Sequence, residues 1–185
     1  MRNEKMLSVD NTLLLVIDLQ EAFRNHVPGF DQIVERTRIL VEAARLLGVP
    51  VIVTEQYPKG LGKTVEPLQP ALDQAKRFEK TGFSVFQDDA AREAILNSQR
   101  MQILMAGIES HVCVAQTALD ALAFERMPFL AADAVGSRKE LDRQLALDRL
   151  RQAGTTITTS EAAILELTVA SSHPQFRAIS KLIKN

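Results

Sequence analysis

Leu13-Leu14-Leu15-Val16-Ile17, followed at once by Asp18, is a continuous apolar run with no polar alternation. A strand with one wet face alternates apolar and polar residues, whereas a strand covered on both faces does not. The run therefore reads as a central strand of a parallel sheet, with Asp18 at its end. Working outward, Val49-Pro50-Val51-Ile52-Val53-Thr54, Met101 to Ala106 and Pro128-Phe129-Leu130-Ala131-Ala132, ending at Asp133, have the same character. Thr155-Thr156-Ile157-Thr158 makes a last short strand, and Ala75 to Phe86 reads as a short, irregular strand and turn.

Amphipathic segments separate these strands. Asp31 to Leu47 places Ile33, Leu40, Val41, Ala44 and Leu47 on one side and Glu35, Arg36, Arg38, Glu42 and Arg45 largely on the other, with Gly48 as a stop. Asp88 is placed to cap a helix through about Asn97. Ser137-Arg138-Lys139-Glu140 has the Ser-x-x-Glu pattern of a capping box, so a helix is expected from there to Gly154. Ser160 would cap a helix over Ala162 to Val169, and Pro174 would open one to about Ile183. Glu55 to Pro70, rich in Gly and Pro, is the longest loop. Leu119, Leu122 and Phe124 are assigned to the core, and Arg138 to Arg151 to a solvated or subunit-facing helix surface. Alternation of strand and helix predicts an α/β, doubly wound parallel sheet with ligands outside the carboxyl ends of its strands.

Length and charge narrow the function classes. A chain of 185 residues suits one domain, residues 1–185. Lys plus Arg number 22 against 23 Asp plus Glu, with no basic block, which leaves no footprint for nucleic acid or an acidic membrane. The only cysteine cannot close an internal disulfide, no Cys/His spacing fits a zinc site, and Met1-Arg2-Asn3-Glu4-Lys5 lacks a leader's apolar stretch. The expectation is a cytoplasmic protein with a small-molecule partner.

That cysteine stands in Gly107-Ile108-Glu109-Ser110-His111-Val112-Cys113-Val114, between the Met101–Ala106 strand and a helix beginning near Ala115. The first turn of a helix offers unpaired N–H groups and the positive end of the dipole, which favour a thiolate and can hold an oxyanion. Cys113 is thus either a nucleophile or an inert buried residue. Asp18, ending the first strand, is either a general base or a turn residue. Lys80 is either a cation steadying both or a solvated lysine beside Lys76 and Arg77. A parallel sheet brings central strand ends to one edge, so these separated residues can meet.

Three blocks, Val16-Ile17-Asp18-Leu19-Gln20, Lys80-Thr81-Gly82-Phe83-Ser84-Val85-Phe86 and Gly107 to Val114, resemble the signatures of the isochorismatase-like cysteine hydrolase superfamily. A particular likeness to the isochorismatase domain-containing proteins lies in Thr54-Glu55-Gln56-Tyr57-Pro58-Lys59-Gly60-Leu61-Gly62, Gly107-Ile108-Glu109, Ser137-Arg138 and His173-Pro174-Gln175-Phe176. The resemblance implies a three-layer α/β/α, Rossmann-like fold with six parallel strands and a catalytic triad of Asp18, Lys80 and Cys113. It further implies a cis peptide between Ile108 and Glu109, an oxyanion hole of the Glu109 and Cys113 N–H groups, no cofactor, and a homo-oligomer. Nicotinamidases of the superfamily carry a metal-binding Asp-x-His and further histidines, but Glu55 to Pro70 holds no histidine, so no metal is expected. Isochorismatases proper commonly lack a cysteine at the position of Cys113, so the thiol favours acyl transfer.

Phe23, Glu55, Gln56 and Tyr57 are candidates for the substrate pocket, the two aromatics being alternatively loop anchors. His111, two residues before Cys113, either touches the ligand or plays a structural part, and His26 and His173 suit surface or capping roles. The reading that follows is a cysteine-dependent hydrolase of a small C–N, amide-type substrate working through a thioester. Two others stay open: a non-catalytic binding or regulatory protein, and hydrolysis of an enol ether or ester by water activated at Asp18.

Overall fold

The computed structural model describes residue 3 and residues 5–184. Most of the Met1–Lys5 stretch read above for a leader lies outside the described residues, as does Asn185. Six parallel strands, β1 (Thr12–Ile17), β2 (Val51–Gln56), β3 (Lys76–Lys80), β4 (Gln102–Ile108), β5 (Met127–Gly136) and β6 (Thr156–Thr158), form one sheet in the order β3-β2-β1-β4-β5-β6. Helices α1 (Phe30–Leu47), α6 (Ser160–Thr168) and α7 (Phe176–Lys184) pack on one face, and α3 (Asp89–Asn97), α4 (Ala115–Ala123) and α5 (Glu140–Ala153) on the other. A short helix, α2 (Pro58–Leu61), lies in the loop after β2.

β1 shows why the opening apolar run has no alternation. Leu14 and Val16 enter the core under α1, while Leu13, Leu15 and Ile17 enter the core under α4 and α5. The strand is buried on both faces and paired on both edges. Strand order reverses between β1 and its neighbour β4, and the crevice at their carboxyl ends is the expected ligand position of a doubly wound sheet. Among the described residues no helix is long and apolar enough to cross a membrane.

Several boundaries differ from those read in the sequence. β2 starts after Pro50, which has no N–H for the ladder, and continues through Glu55 and Gln56, which pair with Glu79 and Lys80 of β3. β5 does not end at Ala132–Asp133. Its pairing with β4 shifts between Met105 and Gly107 and resumes at Val135 and Gly136. The Ser137 capping box does not form: α5 starts after Lys139, and Ser137 Oγ instead meets His111 Nδ1 at 3.0 Å. Thr159, not Ser160, caps α6, because the Ser160 N–H and hydroxyl donate to the Asp133 carboxylate. The last helix opens at Phe176, two residues beyond Pro174. Asp88 does cap α3, accepting from the Ala91 N–H at 2.8 Å. Leu119 and Leu122 are only half-buried, and Phe124 is exposed, stacked on Phe86 with ring centroids 5.1 Å apart.

Gly107 fixes the closeness of β1 and β4. Its φ is +126°, and an added Cβ would lie 2.0 Å from the Ile17 carbonyl oxygen. Gly48, which ends α1 with φ +73°, has open space around the same position. Gly48→Ala should therefore cost only the left-handed backbone penalty, about 1–2 kcal/mol. Gly107→Ala must also push the central strands β1 and β4 apart and should cost about 3 kcal/mol or more, read as midpoint shifts in urea unfolding. Equal shifts for the two would refute the close-approach account.

Candidate active site

The chain leaves β1 at Asp18 with a positive φ of 54°, its N–H donating to the Thr54 carbonyl at 3.1 Å. The turn brings the carboxylate over the strand ends. Asp18 Oδ1 accepts from Thr54 Oγ1 at 2.8 Å, and Oδ2 accepts from Lys80 Nζ at 2.7 Å. Lys80 is the last residue of β3, two strands from β1, so at about 4.8 Å per strand its side chain must cross roughly 10 Å beneath the end of β2. Only a long, extended side chain does this. The two side chains are 0% and 1% exposed.

A buried ion pair holds only if the remaining donors are satisfied. Lys80 Nζ also donates to Gln56 Oε1 at 2.6 Å, to the Phe83 carbonyl at 3.0 Å and to the Gly82 carbonyl at 3.3 Å. Gln56 in turn donates from Nε2 to the Thr81 carbonyl at 2.8 Å. Thr54 and Gln56, two apart on β2, thus present Asp18 and Lys80 with their fixed partners.

Cys113 lies in a π-helical turn, Ser110–Val114, between β4 and α4, not in the first turn of the helix itself. It is buried, and near enough to Asp18 and Lys80 for both charges to act on its thiol. Burial pushes the thiol pKa up to about 12, helped by the Asp18 carboxylate and opposed by the Lys80 ammonium. The resting sulfur is therefore protonated at neutral pH. Glu109 opens the same turn. The Ile108–Glu109 peptide is cis, and the Glu109 carbonyl accepts from the N–H groups of Val112 and Val114 at 3.1 and 3.2 Å. Glu109 Oε1 accepts from Arg138 twice, from the backbone N–H at 3.1 Å and from Nε at 2.9 Å.

Cys113 opens into a pocket of about 800 Å³ whose walls include Phe23, Tyr57, Leu61, Phe83 and Val112, with Gln56, Thr81, Glu109, Arg138 and His26 as polar lining. Phe23, Gln56 and Tyr57 thus stand where pocket residues were sought. Glu55 and His111 do not. Glu55 points to the other face of β2, where Oε1 accepts from the Thr64 N–H and hydroxyl and from Arg77, so it anchors the long loop. His111 turns away toward Ser137 and Asp142. Residues missed in the sequence include Thr54, His26 and Arg138, and also Gln20. The Gln20 amide exchanges two hydrogen bonds with the Gln56 backbone and donates to the Gly62 carbonyl. Alternation along β2 could have paired Thr54 with Gln56. Gln20 closes a block quoted for the family likeness, but nothing local assigns it this role. Among the described residues no three His, Cys, Asp or Glu side chains gather as a metal site.

The sequence matches the isochorismatase domain over residues 12–162. It is 39% identical over 177 residues to isochorismatase domain-containing protein 2 of Danio rerio, covering 96% of this chain and 89% of that protein. It is 41% identical to the secreted isochorismatase effector Isc1 of Phytophthora sojae, covering 94% and 85%. A solved structure named MAR1 ribonuclease, from Caenorhabditis elegans, superposes with a TM-score of 0.93 at 41% identity, over 97% of this chain and 93% of that one. With its doubly wound sheet and matched domain, the chain belongs to the isochorismatase family of hydrolases.

Proposed function

We propose that this protein is a cysteine hydrolase of a small amide-type C–N substrate, with Asp18, Lys80 and Cys113 as its catalytic triad. The observation that carries the reading is a buried, fully hydrogen-bonded carboxylate–ammonium pair whose two charges act on a thiol that lines the pocket. As the sulfur attacks the carbonyl carbon, the Asp18 carboxylate takes its proton, so no free thiolate accumulates beforehand. The carbonyl electron pair moves to oxygen, which the N–H groups of Glu109 and Cys113 are assigned to receive. Collapse breaks the C–N bond, the amine leaves with the proton from Asp18, and a thioester remains. Water then attacks with Asp18 as base, releasing the acid and restoring the thiol. Lys80, bonded to Asp18 at 2.7 Å, holds the carboxylate in place throughout. We place this chemistry in the cytoplasm, where a lone catalytic thiol stays reduced. No metal or other cofactor takes part in this scheme.

The test is ammonia or amine release from a panel of small amides, with RNA, an ester and an enol ether as parallel substrates. Cys113→Ala and Asp18→Asn should each lower amide turnover by about 10⁴-fold or more. Amide turnover surviving either change overturns the reading. An enol ether or ester cleaved by Cys113→Ala but not by Asp18→Asn would favour water activation at Asp18. RNA cleavage without amide turnover would assign this chain the activity in the name of its nematode neighbour.

The pH dependence of iodoacetamide labelling supplies a second check. A pKa raised from 9.0 to about 12 leaves little thiolate at neutral pH, so labelling should be slow there and climb through the alkaline range. Asp18→Asn removes a charge that raises this pKa and should speed labelling at neutral pH while turnover is lost. Lys80→Met removes the opposing cation and should slow it. Identical profiles in all three proteins would show that Cys113 is not coupled to the pair.

A further inference from the structure

Helix α5 carries apolar side chains that no other part of the described chain covers. Leu141 and Leu145, one turn apart, are 64% and 59% exposed, while Leu147 and Leu150 of the same helix are buried against the sheet. A single exposed leucine is ordinary, but these two form a stripe. The stripe borders a groove of about 150 Å³ lined by His111, Ala115, Asp142, Leu145, Ala146 and Arg149. Ala115 and Ala146 are buried there, and their small side chains leave the groove its depth.

Charge on this face is arranged in a self-complementary way. Asp142 and Arg149 stand seven residues apart, two helical turns or about 10 Å along the axis. The Arg149 guanidinium has no partner among the described residues, whereas Arg143 and Arg151 on the same helix each pair with a carboxylate of α5. Within its own chain Asp142 faces His111, whose Nε2 lies 4.0 Å away, and feels the charge of Arg138, which is already paired with Glu109.

We infer that this face binds a second copy of the chain, with α5 packed antiparallel on the α5 of the partner across a two-fold axis. An axis passing between positions 145 and 146 sets Asp142 against the partner's Arg149, and Leu145 over the partner's Ala146. By symmetry each contact occurs twice. Both leucine side chains then enter grooves, and both unpaired guanidinium groups gain carboxylates. The alternative register, with the axis through Leu145, would set Asp142 against the partner's Asp148 and is disfavoured by like charge. The interface adjoins His111, so the second copy lies against the turn that carries Cys113. It is independent of the reaction assigned to that thiol.

Sedimentation equilibrium on the full chain tests this. Wild type should show the mass of an even number of chains, and Leu145→Glu, Asp142→Arg and Arg149→Asp should each halve it, with far-ultraviolet circular dichroism unchanged. An equimolar mixture of Asp142→Arg and Arg149→Asp should regain the wild-type mass, because each contact then pairs opposite charges again. A monomeric wild type overturns the proposal, as does an assembly that survives all three changes. Folded single variants that fail to reassociate on mixing would likewise overturn the antiparallel register.

Discussion

The rest of the site depends on the ion pair between Asp18 and Lys80, buried at the carboxyl edge of the sheet. Removing two charges from water costs several kcal/mol each, and their attraction offsets this only where every other donor and acceptor is satisfied. The surroundings of the pair follow from that demand. Thr54 and Lys80 each occupy one oxygen of Asp18, and Gln56 with the carbonyls of Gly82 and Phe83 surround the ammonium. Because Lys80 comes from β3 and Asp18 from β1, the pair also ties three adjacent strands together beneath the pocket. One interaction sets both the geometry of the strand ends and the charge that the thiol meets.

A second constraint is the spacing of β1 and β4. The Ile17 carbonyl comes so near Gly107 that no side chain fits there, which draws the strand ends bearing Asp18 and the Cys113 turn toward each other. The other walls are anchored from outside the pocket. Gln20 grips the backbone at Gln56 and Gly62, and Glu55 grips Thr64, so the loop carrying Tyr57 and Leu61 is held from both sides. Arg138 fixes the side chain of Glu109 across the rim. These groups need no contact with substrate to shape the site.

The sheet was legible because its strands are written as unbroken apolar runs, and Leu13 to Ile17 alone implied burial on two faces. Strand ends were less legible, since Glu55 and Gln56 break the apolar pattern while staying in the ladder, and Asp133 lies in the irregular stretch of β5 before its pairing resumes, all three with side chains bonded elsewhere in the chain. The Ser-x-x-Glu pattern at Ser137 failed for a related reason: a hydroxyl that could cap a helix found a histidine instead. The local motif was correct in form, but tertiary bonding decided its use. Asp18, Lys80 and Cys113 could be singled out from strand ends and family likeness. Gln20 and Arg138 stand in the same blocks of likeness but drew no role, because what gives them one is a partner far away in the chain, and Thr54 was within reach only through its alternation with Gln56.

The state of the thiol shows which of two opposing effects prevails. A sulfur near a helix start is commonly expected to be ionised, and the lysine beside Cys113 pulls in the same direction. Here Cys113 sits two residues short of α4, within a π-helical turn, and is buried near a carboxylate that is paired with Lys80. Desolvation of the thiolate and repulsion from Asp18 outweigh the cation, so the proton stays on sulfur. For the proposed role, such a thiol would stay unreactive until a carbonyl is in place. In the reaction proposed for Cys113, the carboxylate that helps hold the thiol protonated would also serve as its base, so that attack and proton transfer would occur together.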